Sequence, residues 1–240
     1  MSAMTTKELE DLILFVTLRY IQSGKPSDVV GALNEHNFRV LAHVDEIAKG
    51  EELDEDDYLL IKTIAILHDV AKADAHLMKH AEVGAEIAAD KLREMGKDEE
   101  FVAAVERGIL CHMGPPPFIE EETKKYTEAT GEHVHHPRPE GKIEQLFYDA
   151  DMLALIDVEG VRKVVVLRTN TPQFIEEDKA TAAADGGSPR AAAYRSAFQS
   201  VQRAAESLYS KTAKKIAERL IEEARLYVDE SLAMEAARTG

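Results

Sequence analysis

"YLLIKTIAILHD", residues 58–69, is apolar almost all the way round a helix and then ends on an adjacent histidine and aspartate. A helix without a polar face belongs at the centre of a core. Side chains one residue apart cannot share a helical face, since neighbours on a helix are three or four positions apart. His68 and Asp69 can therefore meet only where the helical backbone ends or where a metal gathers them. The following residues, "VAKADAHLMKHAEVGAE" over 70–86, add Lys72, His76, Lys79 and His80 within a few turns.

On either side of this stretch the pattern is helical. Thr5 and Glu8 form a capping box ahead of the stripe Leu9, Leu12, Ile13, Val16 and Tyr20, which Gly24 and Pro26 close. Ser27 is expected to cap a second helix whose stripe is Val29, Leu33, His36, Val40, Val44 and Ile47. His36 thus sits inside an apolar face. Asp54 is expected to open the third helix. A fourth helix over about residues 81–95 stops at Gly96, and a fifth runs from Asp98 to the "HMGPPP" break at His112. Residues 114–140, rich in Pro, Gly, Glu and His, read as a long loop or lid. From Lys142 the pattern is again helical, with "KVVVLR" kept in the helix although it has strand-like composition. "KATAAADGGSPR" reads as a small-residue break, followed by Ser188 as N-cap and Pro189 at N1 of the first of two long amphipathic helices. There is no internal repeat. The expected organisation is one all-α domain over 1–240, with a metal-binding core over 27–169 and C-terminal helices over 188–236.

The chain has 240 residues, 45% of them hydrophobic, enough to bury a full core. Its 45 acidic and 29 basic residues give a formal charge of −16, which argues against an extended nucleic-acid interface, because such interfaces cluster Lys and Arg. Cys111 is the only cysteine, and the N-terminus has no basic region ahead of a long apolar run; together these predict a cytoplasmic protein. No apolar run approaches the roughly 20 residues that a bilayer requires. Homo-oligomerisation is left open.

His36, His68, Asp69, His80, His112 and an aspartate of "YDADML" lie on, or at the end of, successive helical patterns. Imidazole with carboxylate suits Mn, Fe, Ni, Co or Zn better than calcium, and inward-facing helix residues are how bundles build metal sites. The strings "HNFRVLAHVDEIA", "AILHDVAKAD", "HAEVGAEIA", "ILCHMG" and "YDADML" resemble the HD-domain superfamily of metal-dependent phosphohydrolases over about residues 30–160. The resemblance implies a helical bundle with the metal at its centre. It assigns His36, His68, Asp69 and Asp151 to one ion, and matches His80 and His112 to the extra histidines of members that hold a second. Asp149 competes with Asp151; the match of "ADML" to the family's alanine-aspartate pair favours Asp151. The segment "LYSKTAKKIAERLIEEARLYVDE" resembles the C-terminal helix of a branch with nucleotide pyrophosphohydrolase members. In that branch "DADRLD" is common; here Met152 and Ala154 stand at its Arg and second Asp.

Isolated residues have plainer explanations. A histidine on an apolar face is usually a core residue with one hydrogen-bond partner, and only the whole set outweighs that for His36. His43 is assigned to the core or to support of a ligand, His76 to a pocket rim, and the "HVHH" tract with His133, His135 and His136 to a solvated loop. Cys111 reads as an inert core thiol.

A metal-bound hydroxide formed near neutral pH, beside cations that neutralise phosphoryl charge, suits hydrolysis of a phosphate ester or anhydride. On this reading Asp69 bridges two ions or orients the attacking water. Lys72 contacts a substrate phosphate, with Arg39 and Lys79 as further substrate contacts and Arg162 and Lys163 as more distant candidates. The substrate expected is a small nucleotide or related phosphometabolite. The alternative is an HD-type mixed-valent diiron oxygenase acting on a polyol or phosphonate, since some HD-domain oxygenases share the six-ligand arrangement. A non-catalytic nucleotide sensor ranks last, because the ligand set is retained.

Overall fold

The computed structural model describes residues 4–114, 117–185 and 187–239, and among them there are eleven helices and no strand. The chain forms two compact units, Met1–Asp151 and Met152–Gly240.

In the first unit α1 (Thr6–Gln22), α2 (Ser27–Gly50) and α3 (Glu55–Leu67) pack against one another, and α5 (Glu99–Cys111) packs on α3 and on α4 (His80–Glu94). α3 is the hub because its sequence leaves it no polar face: Leu59, Leu60, Ile61 and Thr63 through Leu67 are all buried. Local chemistry sets most helix starts. Thr5 and Glu8 form the expected capping box, and Asp54 and Asp98 accept from the backbone N–H groups of Asp57 and Phe101. At α2 the expected cap is displaced: Ser27 is the first helical residue and Pro26 occupies the cap position, with no side-chain cap bond.

The segment expected to be a loop over 114–140 contains α6 (Pro117–Thr130). Proline is tolerated in the first turn of a helix, where the missing N–H would have no partner, and Pro117 is the first residue of α6. The α6 sequence is largely charged and polar, with an i,i+4 pair between Lys124 and Glu128, so periodicity does not reveal the helix.

The helical run from Lys142 is divided into α7 (Lys142–Ile156) and α8 (Val158–Asn170). Asp157 caps α8 by accepting from Gly160 N–H at 2.8 Å. The strand-like "KVVVLR" is helical. The expected small-residue break does not begin at Lys179, since α9 (Pro172–Asp185) includes all of "KATAAAD"; alanine favours a helix even where it gives no stripe. Ser188 and Pro189 start α10 (Pro189–Glu206) as expected, and α11 (Lys211–Thr239) follows. In this second unit α10 packs on α8, α9 and α11. Its alanines at 191, 192, 193, 197 and 204 are buried. Arg168 on α8 grips the buried Asp178 of α9 at 2.7 Å. Among the described residues no helix is long and apolar enough to cross a membrane.

Candidate metal centre

α3 ends at His68, and the chain then runs through tight turns, with Val70 N–H donating to Leu67 O at 3.0 Å and Lys72 N–H to Asp69 O at 2.8 Å. Leaving the helix at this point lets the adjacent His68 and Asp69 side chains aim at one region. The turn is held from α1 and α2. Tyr20 Oη donates to Asp69 O at 2.9 Å, and Asn37 Nδ2 donates to Tyr20 Oη at 3.3 Å and reaches Ile66 O at 3.5 Å. Tyr20 is wholly buried. Replacing Tyr20 by Phe leaves Asp69 O without its donor and should cost about 1–3 kcal/mol in chemical denaturation. Metal affinity should weaken about tenfold. Unchanged stability and affinity would remove the Tyr20 hydroxyl from the support of this turn.

Three of the four histidines are oriented in the same way. Nδ1 of His68, His80 and His112 donates to the carbonyl oxygen three residues earlier, Ala65, Leu77 and Ile109 respectively. A carbonyl can only accept, so each Nδ1 carries the proton and each Nε2 presents a lone pair. His68 and His112 are the C-cap residues of α3 and α5, and His80 begins α4, so three helix ends deliver these nitrogens.

The lone pairs converge on Asp69. Its Oδ2 lies 3.4 Å from His68 Nε2 and 3.6 Å from His36 Nε2; its Oδ1 lies 3.2 Å from His80 Nε2 and 3.8 Å from His112 Nε2. Asp151 completes the first group, with Oδ1 3.1 Å from His36 Nε2 and 3.8 Å from His68 Nε2. All six residues are buried. Asp149 is fully buried too, but residues two apart on a helix point about 200° apart, so it does not share the face that Asp151 presents to the histidines.

Charge follows from this geometry. Burial raises the Asp69 carboxyl, but the Lys72 ammonium and the His68 imidazole outweigh it and hold the group well below its usual range. Asp151 is likewise held low: burial opposes ionisation, while hydrogen bonding to His36 and the charges of His68 and His36 favour it. Burial, reinforced by His80 and His68, pushes His112 down to about 3. Burial also lowers His36 despite Asp151. Burial also acts to lower His68, but the charge and hydrogen bond of Asp69 together with the charge of Asp151 outweigh it, and the group is raised. Two carboxylates held in the ionised form thus share a buried space with the Lys72 ammonium, 2.7 Å from Asp69 Oδ2.

Two observations fit a cation. Nε2 of His80 and Nε2 of His112 stand 2.9 Å apart although both carry lone pairs, an arrangement that is repulsive unless a positive species lies beside them. Asp69 Oδ1 is buried with no hydrogen-bond donor. Among the described residues, the ligand-type atoms within 4.8 Å of one another form two groups, His36 with His68 and Asp69, and Asp69 with His80 and His112. Asp69 is common to both. Nitrogen with carboxylate oxygen suits a divalent transition ion.

The remaining candidates sort by position. Lys72 is on the cluster, its Nζ 2.7 Å from Asp69 Oδ2 and its side chain 32% exposed. Arg39, one turn from His36 and 17% exposed along its side chain, has Nε 4.0 Å from Glu35. Lys79 faces the carboxylates of Glu132 at 3.2 Å and Glu82 at 3.6 Å, which compete with an anionic substrate for it. His43 is buried on α2, and His76 stacks on Tyr126 at 4.7 Å. Burial and Glu144 push the Cys111 thiol up to about 12, consistent with an inert role. Arg162 lies over the Tyr227 ring. The residues that sequence reasoning missed are Tyr20 and Asn37, which a periodic pattern reads only as core.

The HD domain family model matches residues 33–155, which include every residue of the cluster. No curated protein matches the sequence. The chain is similar to a solved structure described as a predicted HD superfamily hydrolase from an uncultured Thermotogales bacterium. The two superpose with a TM-score of 0.54 at 21% identity, covering 96% of this chain and 99% of that one. The likeness shows the fold, and the family match, over more than half of the 240 residues, shows that the chain belongs to the HD domain family.

Proposed function

We propose that the protein is a metal-dependent phosphohydrolase that cleaves a phosphate ester or anhydride of a small nucleotide or related phosphometabolite. The observation that carries this reading is the Asp69 carboxylate, shared between two histidine groups and paired with the ammonium of Lys72. His36, His68, Asp69 and Asp151 would hold one divalent ion, and Asp69, His80 and His112 a second. Such ions lower the pKa of a coordinated water and neutralise charge that develops on a phosphoryl group.

The residues of the chain do the rest. The Nδ1 bonds to Ala65 O, Leu77 O and Ile109 O keep three imidazoles in the ligating tautomer. Burial excludes bulk water from the carboxylates, which strengthens every charge interaction there. With the Asp69 charge neutralised by bound ions, the Lys72 ammonium would be free to pair with a phosphoryl oxygen. Arg39, one turn from His36, is a further substrate contact on this reading, and so is Lys79 when it exchanges Glu132 for an anion. The description of the similar solved structure as a hydrolase agrees with this chemistry.

A panel of phosphate esters and anhydrides, assayed with Mn²⁺, Ni²⁺, Co²⁺, Fe²⁺ or Zn²⁺, should give metal-dependent phosphate or pyrophosphate release. Lys72→Ala should lower kcat/KM by about 10²-fold with bound metal unchanged, the scale of losing one transition-state donor. No turnover across the panel, with O₂ consumption by the diiron form on a polyol or phosphonate, would replace hydrolysis by oxygenation.

A further inference from the structure

The segment between α6 and α7 is tied to both helices that end in the second histidine pair. On the α4 side, His135 N–H donates to Glu82 Oε1 at 3.0 Å, two residues beyond His80. Glu132 on the same segment accepts from Tyr126 Oη at 2.9 Å and lies 3.2 Å from Lys79 Nζ. On the α5 side, Pro137 O lies against Gly114, two residues beyond His112, so closely that a Cβ there would overlap it. Cys111 Sγ contacts Arg138 O at 3.6 Å. Residues 135 and 137 are thus fixed beside the ends of the helices that carry His80 and His112, and His136 stands between them.

The His136 side chain departs from the solvated tract that composition suggests. Both its ring nitrogens are buried, and neither has a hydrogen-bond partner. Buried polar atoms in folded proteins are nearly always paired, so the ring is built to meet something else. Burial lowers its pKa, helped by His80 and His135 and opposed by Glu82, which places His80 and Glu82 within electrostatic reach. A neutral imidazole offers one N–H donor and one acceptor. His136 belongs to neither group of close ligand atoms, so it stands outside the set that would hold ions.

We propose that His136 is a substrate-binding residue, donating its ring N–H to a phosphoryl oxygen of a substrate seated on the His80, His112 and Asp69 side of the centre. The assignment rests on the phosphohydrolase reading, and it makes the strap over 132–140 part of the substrate site.

The test uses the full chain loaded with Mn²⁺, p-nitrophenyl phosphate as turnover probe, and inorganic phosphate titrated calorimetrically as binding probe. His136→Ala should raise KM and weaken phosphate binding about tenfold each, with kcat changed less and manganese stoichiometry and circular dichroism as in the wild type. His136→Gln, which keeps an N–H donor, should recover much of the affinity and covers the case in which the alanine variant fails to fold. Unchanged KM and phosphate affinity in His136→Ala overturn the assignment. Loss of manganese in a folded variant also overturns it and makes His136 a ligand. A wild type that binds phosphate without turnover defeats the hydrolase reading alone, and the titration still decides His136; a wild type that binds no phosphate defeats both.

Discussion

Asp69→Ala is expected to remove most bound metal and to lower turnover by at least about 10³-fold, a larger effect than any other single change in the cluster. Groups that merely support a ligand typically change affinity or activity 10–100-fold, and a shared ligand must exceed that. Its two oxygens serve different histidine pairs, Oδ2 facing His36 and His68 and Oδ1 facing His80 and His112. His80→Ala or His112→Ala, by contrast, should remove about one ion and leave the His36, His68, Asp151 side loaded. Asp69→Asn controls for packing, since it keeps the shape and loses the charge. Metal analysis by mass spectrometry on dialysed protein checks the stoichiometry. Full metal content in Asp69→Ala, or the same residual content as in His80→Ala, would end the shared-carboxylate reading.

Gly160→Ala is the second large effect, and it is structural. A Cβ at Gly160 would overlap the carbonyl of Leu155, with Leu155 C at 2.5 Å and Leu155 Cα at 3.0 Å, and backbone cannot step aside as a flexible side chain would. Overpacking of this kind costs about 3 kcal/mol or more where relaxation is blocked. For a chain of this size that amounts to a fall of roughly 6–12 °C in Tm. Differential scanning calorimetry would read it, and a Tm within a degree of the wild type would show that the α7–α8 corner can relax.

That corner also shows where the sequence was hard to read. "LIDVEGVRK" continues an apolar pattern across the break, and periodicity alone joins α7 to α8. The available signal was chemical: an aspartate at N-cap with a glycine three residues on. The same cap chemistry at Thr5, Asp54 and Asp98 was legible, because apolar stripes began immediately after those residues. α6 and α9 were missed for the opposite reason. They carry helix-forming residues without a stripe, and a hydrophobic pattern cannot report a helix that has no apolar face. The six candidate ligands were legible because imidazoles and carboxylates within apolar stretches are costly unless something pairs them. His136 was not, since it lies in a polar, proline-containing tract, and the flanking His135 and Pro137 are positioned by contacts at Glu82 and Gly114, more than 20 residues away in the chain.

The three Nδ1 bonds to carbonyls three residues upstream carry one more consequence. Each imidazole takes its direction from a stretch of four residues of its own chain, so its rotamer is fixed by local folding and not by contact with an ion. A long side chain that must be immobilised on binding costs up to about 1.5 kcal/mol in lost rotational freedom. Here the bonds to the chain's own carbonyls supply that ordering without an ion. Loading and release of ions should therefore proceed with little change in backbone protection from hydrogen exchange, and selectivity among Mn, Fe, Co, Ni and Zn should follow the spacing that a rigid frame allows, with the Irving–Williams order partly overridden.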